Sequence, residues 1–259
     1  MGTLDGINSQ NFSITQNGRY EPWELQVSRG QISFHSTVSI FGYQSTVGTT
    51  FIPVWENTTT YSYPASAVVM TLASSSASDA GVSVLISGLD ANYLQISETI
   101  TFTAGNYTGV NTTNSYLRIN SMTVTAVPTA GTSNIGTITA KNGGTTYAQI
   151  AIGVGRTQMS IYTVPANNTF YLYRTQGFTN TPYTTGAYVT YRTYQVSSSG
   201  VQSLITQRPY ISNFTVERRY PNLYAEKTDI QWQMQASSGT TAAIGFTAEG
   251  VLVKNNGTL

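Results

Sequence analysis

Apolar and polar residues alternate along this chain with a period of two, in short runs rich in Val, Ile, Thr, Tyr and Phe that clusters of Gly, Asn, Pro and Ser interrupt. A period of two sends successive side chains to opposite faces of an extended strand, and β-branched and aromatic residues fit a pleated surface. The pattern predicts strands over Ile32 to Ile40, Val82 to Leu89, Gln95 to Thr103, Leu117 to Ala126, Gln158 to Val164, Thr169 to Phe178, Tyr188 to Val196 and Gln231 to Ala236. Between two of these runs, Leu89-Asp90-Ala91-Asn92-Tyr93 supplies side chains that bond their own backbone, which predicts a hairpin. In Val164-Pro165-Ala166-Asn167-Asn168-Thr169, Pro fixes φ where the turn begins and Asn accepts the left-handed position. No segment longer than about ten residues carries a helical apolar stripe, so helix content is expected to be small.

Strands spaced every 8 to 12 residues or so, with turn signals between them, predict sandwiches or barrels. At 259 residues the chain exceeds the roughly 100 to 200 of a single domain. The expectation is an all-β protein of two antiparallel β-sandwich, jelly-roll-like domains. They would span residues 20 to 155 and 156 to 259, after a short extended N-terminal arm over residues 1 to 19. The stretch from Lys141 to Thr145 reads as a turn and the TYAQIAI run after it as the return strand of the first unit. Gly153-Val154-Gly155 is the better linker, because Gly-rich backbone bends at little cost. The arm is too polar to fold alone, yet Leu4, Ile7, Phe12 and Ile14 are apolar anchors by which an extended segment docks on a neighbour. No fixed-period repeat is present.

Composition narrows the chemistry. Charged residues are only 9% of the chain, against about 25% in ordinary proteins, so solubility rests on Ser, Thr, Asn, Gln and Gly. A formal charge of +1 removes the electrostatic footprint of a duplex-binding protein or a polybasic membrane anchor, so neither nucleic acid nor membrane is an expected partner. There is no Cys, hence no disulfide framework or thiolate, and a single His, His35. No run of about 18 apolar residues predicts a membrane helix. Residues 1 to 20 do not read as a signal peptide, and Gly6 stands where a myristoylation signal wants Ser or Thr.

Catalytic and metal motifs are missing: no Gly-x-Ser-x-Gly elbow, His-Glu-x-x-His, phosphate loop, dinucleotide fingerprint or Asp-x-Asp cluster occurs. Glu21 with Glu24 and Glu217 with Glu226 are the nearest candidates for a glycosidase carboxylate pair, and reading them as acids flanking turns is preferred. His35 shares a strand face with Ser33 and Thr37, but no carboxylate is placed to orient its ring. Asn-x-Ser/Thr sequons such as those at Asn57, Asn106 and Asn213 are what an Asn- and Thr-rich chain contains by chance. No enzyme activity, cofactor or metal is expected. Eighteen Tyr carry apolar bodies with polar tips, suited to filling a core, sealing protein contacts or stacking on sugar rings. Between Gln207 and Pro221, Arg208, Arg218, Arg219 and Tyr220 are candidate interface residues, since Arg suits bidentate contact with a neighbour's carboxylates.

Several stretches resemble a family. Glu24 to Ile32 followed by Val38 to Tyr43, then Leu85 to Tyr93 with Ile96 to Thr99, Tyr116 to Asn120, Ile161 to Ala166 and Glu226 to Ile230 are similar to structural proteins of tailed bacteriophages, especially aquatic and cyanobacterial ones. The similarity spans about residues 20 to 253 and brings no catalytic motif. It implies a virion component assembled in the host cytoplasm, whose partners are other virion proteins, major capsid or tail, or further copies of itself. An accessory exterior protein that decorates the capsid is favoured over a tail component. A receptor- or host-glycan-binding module at a tail tip or fibre is the alternative.

Overall fold

The computed structural model describes residues 21–57, 60–128, 131–179, 188–237 and 242–255. It is all-β, and every strand pairing in it is antiparallel. One sheet contains β1 (His35–Val47), β16 (Ala242–Lys254), β11 (Asn168–Thr179) and β14 (Phe214–Tyr224), in that spatial order. A second is ordered β10 (Ile161–Thr163), β15 (Asp229–Ala236), β12 (Val189–Val196), β13 (Gln202–Tyr210), with β2 (Ile52–Pro53) also pairing with β15. The third is β6 (Val110–Tyr116), β3 (Val68–Ser74), β8 (Ile138–Asn142), β9 (Thr145–Ile150), and the fourth β5 (Gln95–Thr101), β4 (Ser83–Leu89), β7 (Arg118–Ala126). Helix is confined, among the described residues, to one α-helical turn and a half, α1 (Trp23–Ser28), and a 3-10 turn at Ala77–Asp79.

Alternation in sequence becomes alternation in burial. In β4, Val84 and Ile86 are fully buried while Ser83, Leu85 and Ser87 between them are not. The first two sheets bury one core, in which the Trp232 and Tyr191 rings stack on Phe246 at 5.7 and 5.5 Å. The third and fourth bury another around Met70, Leu72, Ile86, Tyr116, Met122 and Ile150. Each such side chain contributes about 1.5–3 kcal/mol when fully removed from water.

The expected hairpin is present: β4 pairs with β5, and Asp90 Oδ1 accepts from the Asn92 and Leu94 backbone amides. The turn from Lys141 to Thr145 joins β8 to β9. Asn167 takes the left-handed conformation (φ 61°) as its residue type allows, but its turn is not a hairpin. The strand before it, β10, pairs with β15, whereas β11 after it pairs with β14 and β16, so the turn carries the chain from one sheet to another.

Four sheets replace the two contiguous halves that the sequence leads one to expect. Beyond Gly153 and Gly155, both at φ 74°, the chain leaves the third sheet for the second. However, β1 pairs with β16 from His35 opposite Val253 to Val47 opposite Ala242. Residues 35 to 53 therefore belong with the C-terminal strands, because an early strand is free to close the edge of a late sheet. Gly42 marks the junction: a Cβ there would collide with the Val54 carbonyl and with Ser160.

A buried ion pair ties the fourth sheet to the second. Arg118 opens β7 and forks onto Asp229 at the start of β15, with Nε donating to Oδ1 and Nη2 to Oδ2, both at 2.8 Å. Its Nη1 donates to the Pro64 and Leu117 carbonyls, Thr163 Oγ1 donates to Asp229 Oδ1, and the Tyr63 ring lies 4.4 Å from the guanidinium carbon. Every charge-bearing atom of the pair has a partner, which a buried ion pair requires.

Candidate functional site

The strongest departure from ordinary surface is the segment in which β13 hands over to β14. These strands close two different sheets, and among the described residues each is paired on one side only, β13 with β12 and β14 with β11. The handover is rigid. Tyr210 and Phe214 stack at 3.9 Å with planes 15° apart and pack on the core, and Asn213 Oδ1 accepts from the Thr179 amide.

On β13, Leu204 (49% exposed) and its neighbour Ile205 are both open to solvent. Ile205 is the extra residue of a bulge, since Thr206 lies opposite Thr193 and Leu204 opposite Tyr194. Val201 and Ile211, the latter 71% exposed, extend this apolar surface past both ends of the strand. Pro209, which lacks an amide hydrogen, and exposed Arg208 blunt its far end. The stretch from Gln202 to Gln207 has neither protection, and its outer amides and carbonyls are a template for another strand.

β14 adds a bulge. Its register with β11 jumps from Glu217 opposite Arg174 to Asn222 opposite Leu172, leaving four residues facing the single residue Tyr173. Extra residues on one strand bend it outward. Arg218, Arg219 and Tyr220 lie in that bulge: Tyr220 is 79% exposed, and the Arg219 guanidinium carbon sits 5.8 Å from its ring. Arg218 turns back, donating from both terminal nitrogens to Thr175 Oγ1 at 3.3 Å. Of the four interface candidates in this segment, Arg208, Arg219 and Tyr220 thus present themselves to solvent and Arg218 is half-buried in its own sheet. Leu4, Ile7, Phe12 and Ile14 lie outside the described residues. Sequence reasoning passed over Leu204, Ile205 and Ile211, although an adjacent Leu-Ile pair in a strand otherwise built of Gln, Ser, Thr and Arg was a visible signal.

Neither proposed carboxylate pair is assembled. Glu21 is buried and ion-paired with Arg29, while Glu24 is exposed on α1. Glu226 accepts from the Asn167 amide beyond the end of β14, and Glu217 is paired with Arg174. Glu217 and Glu226 thus answer to different partners, on opposite sides of the β14 bulge. Instead Arg174 gathers Glu217 at 4.0 Å and Glu249 at 2.5 Å. His35 donates through Nδ1 to the Ser33 carbonyl and meets the Trp23 edge at 5.9 Å, with no hydroxyl on its ring among the described contacts.

Beneath α1, the outer face of the β1-β16-β11-β14 sheet forms a groove of about 600 Å³. The Tyr173 ring, half-open on its bulge, stands 6.4 Å from Trp23 across it. Burial, then the nearby Glu24 carboxylate, raises the Tyr173 phenol above its ordinary pKa.

No protein-family model matches the chain, and no curated protein does. Among solved structures, one of infectious bursal disease virus, Gt strain, is 10% identical with a TM-score of 0.21, over 87% of this chain and 74% of that one. The VP2 subviral particle of the same virus is 12% identical with a TM-score of 0.23, over 87% and 73%. Backbone agreement at that level does not define a common fold.

Proposed function

We propose that this chain is a non-enzymatic virion structural protein of a tailed phage, an accessory component of the particle exterior that decorates the capsid rather than the tail and works by protein-protein contact. The observation that supports the reading is the outer edge of β13 between Gln202 and Gln207, unpaired among the described residues and flanked by exposed Leu204, Ile205 and Ile211. A strand edge of this kind binds by main-chain hydrogen bonding to an added strand, and its exposed aliphatic side chains are buried as it does so. Tyr220 on its bulge supplies an amphipathic anchor beside the edge.

Two further features agree. A nearly neutral chain is free to pack in many copies without mutual repulsion. The sequence resemblance to phage structural proteins supports a reading in which such copies sit on a virion assembled in the host cytoplasm, against major capsid or tail proteins or against each other. Each pair of sheets that shares a core is read as an antiparallel sandwich of jelly-roll type, giving two compact units joined by Arg118 and Asp229. Docking of the N-terminal arm through Leu4, Ile7, Phe12 and Ile14 completes the contact. No cofactor takes part.

Leu204→Lys and Ile211→Lys test the reading when introduced into the phage. Copies per particle should fall severalfold while the purified variants melt within a few degrees of the parent chain. Full incorporation of both variants would contradict it.

A further inference from the structure

We propose that the groove under α1 is a binding site for a neutral hexopyranose oligosaccharide, with Trp23 and Tyr173 as its stacking platform and Glu217 and Glu249 as its hydroxyl readers. The site is separate from the β13 edge, and the inference does not depend on the chain's place in a particle.

Sugar recognition needs two things close together: an aromatic face for the apolar C–H side of a pyranose ring, and planar polar groups that take its vicinal hydroxyls in pairs. Aromatic faces supply the first because their bodies are apolar while their rims remain wet. Trp23 reaches over from α1 and Tyr173 rises from the sheet, their ring planes 53° apart. Tyr173 is aimed by the chain itself, since it is the one extra residue in β11 against β16, where Leu172 pairs with Gly250 and Arg174 with Glu249. Bulges that re-aim a side chain gather beside binding sites.

Planar polar groups come from three strands. Arg174 draws the Glu217 and Glu249 carboxylates together on one side of the groove. Nε of Arg174 donates to Glu249 Oε2 at 2.7 Å, and among the described contacts none engages Glu249 Oε1, which keeps lone pairs for a sugar hydroxyl. Arg218 borders the groove, but its guanidinium turns to buried Thr175 Oγ1 and takes no part. Five of the chain's twelve basic and eleven acidic residues line this groove, in a protein with few charges. Three are carboxylates and two guanidiniums, a balance that disfavours an anionic ligand. A volume of about 600 Å³ lies within the roughly 300–1,000 Å³ of small-ligand sites.

Trp23 is also the reporter. The chain's other two tryptophans, Trp55 and Trp232, are fully buried, so a ligand in the groove changes the emission of Trp23 alone. The experiment titrates the full chain with maltohexaose, cellohexaose and a β-galactan oligosaccharide while following tryptophan fluorescence, with glucuronate as the anionic control. At least one neutral oligosaccharide is expected to give a saturable change, absent with glucuronate. Tyr173→Ala should weaken it about tenfold, the size of one lost stacking contact. Glu249→Gln, which keeps the shape of the side chain, should weaken it severalfold, and Leu204→Lys, outside the groove, should leave it unchanged. Absence of a saturable response to every probe overturns the proposal, as does a response that Tyr173→Ala and Glu249→Gln both leave intact. If a response appears only after residues 1 to 20 are removed, the groove belongs to the chain's own N-terminal segment and the proposal also fails.

Discussion

At the scale of single residues, Glu56 is a partly buried acid whose two oxygens have unequal surroundings. Burial pushes its carboxyl up to about 7 from an ordinary 4.5, against the opposing hydrogen bond that its Oε2 accepts from the Ala151 amide, and Oε1 is buried without a partner. The folded state therefore holds a proton that the unfolded chain releases between about pH 4.5 and 7, and stability falls as pH rises through that window. Glu56→Gln, whose amide oxygen still accepts from Ala151, should leave stability unchanged below pH 4.5. Above pH 7 it should stabilise by about 1–2 kcal/mol, a figure reduced from the full shift because the group is only partly buried and solvent screens it. Urea unfolding at pH 4.5 and pH 8 measures both. Arg118 is the opposite case, a charge fully compensated in place, and Arg118→Ala strands the buried Asp229 carboxylate at a cost of about 3–5 kcal/mol in the same assay. Neither residue was legible in sequence. Glu56 is an ordinary acid until the chain folds over it, and 110 positions of unrelated sequence separate Arg118 from Asp229.

At the scale of elements, much more was legible. The strands predicted from alternation coincide with β1, β4, β5, β7, β10, β11, β12 and β15, and the Asp90 turn is the hairpin its chemistry requires. Several strands are left out by that reading, β3, β6, β13, β14 and β16 among them. β13, exposed along most of its length, carries no clean period of two, and the meaning of β13 and β14 comes from lying at sheet edges, a property of topology. The short helix α1 escaped for a similar reason: six residues are too few for a periodic stripe. Leu204→Lys removes no core contact and should change unfolding free energy by no more than about 0.5 kcal/mol, the usual range for surface positions. Gly42→Ala is the contrasting element-scale variant. Its added carbon meets backbone from two neighbouring segments, so the strand must shift, and a lowered melting temperature of several degrees is expected in a thermal scan.

At the scale of the whole molecule, the sheets are grouped by which surfaces bury one another, and sequence order follows only in part. A chain whose first strand closes the sheet of its last strands ties its two cores together, and Arg118 with Asp229 and the Asn120 amide paired with the Thr163 backbone add polar fastening between them. The candidate groove follows the same logic: Trp23, Tyr173, Glu217 and Glu249 come from four separate segments, so the sequence shows an aromatic-rich chain but not where its aromatics meet its acids. For assembly, removing residues 1 to 14 should lower the number of copies in particles without lowering the melting temperature, since the described cores do without them. A truncated chain incorporated at the parental level would count against arm docking. The central claim, that the protein is a repeated building block of a virion exterior, is tested most directly by quantitative mass spectrometry of purified source particles, counting copies of this chain against the major capsid protein. Hundreds of copies per particle are predicted, and absence of the chain from particles would contradict the account.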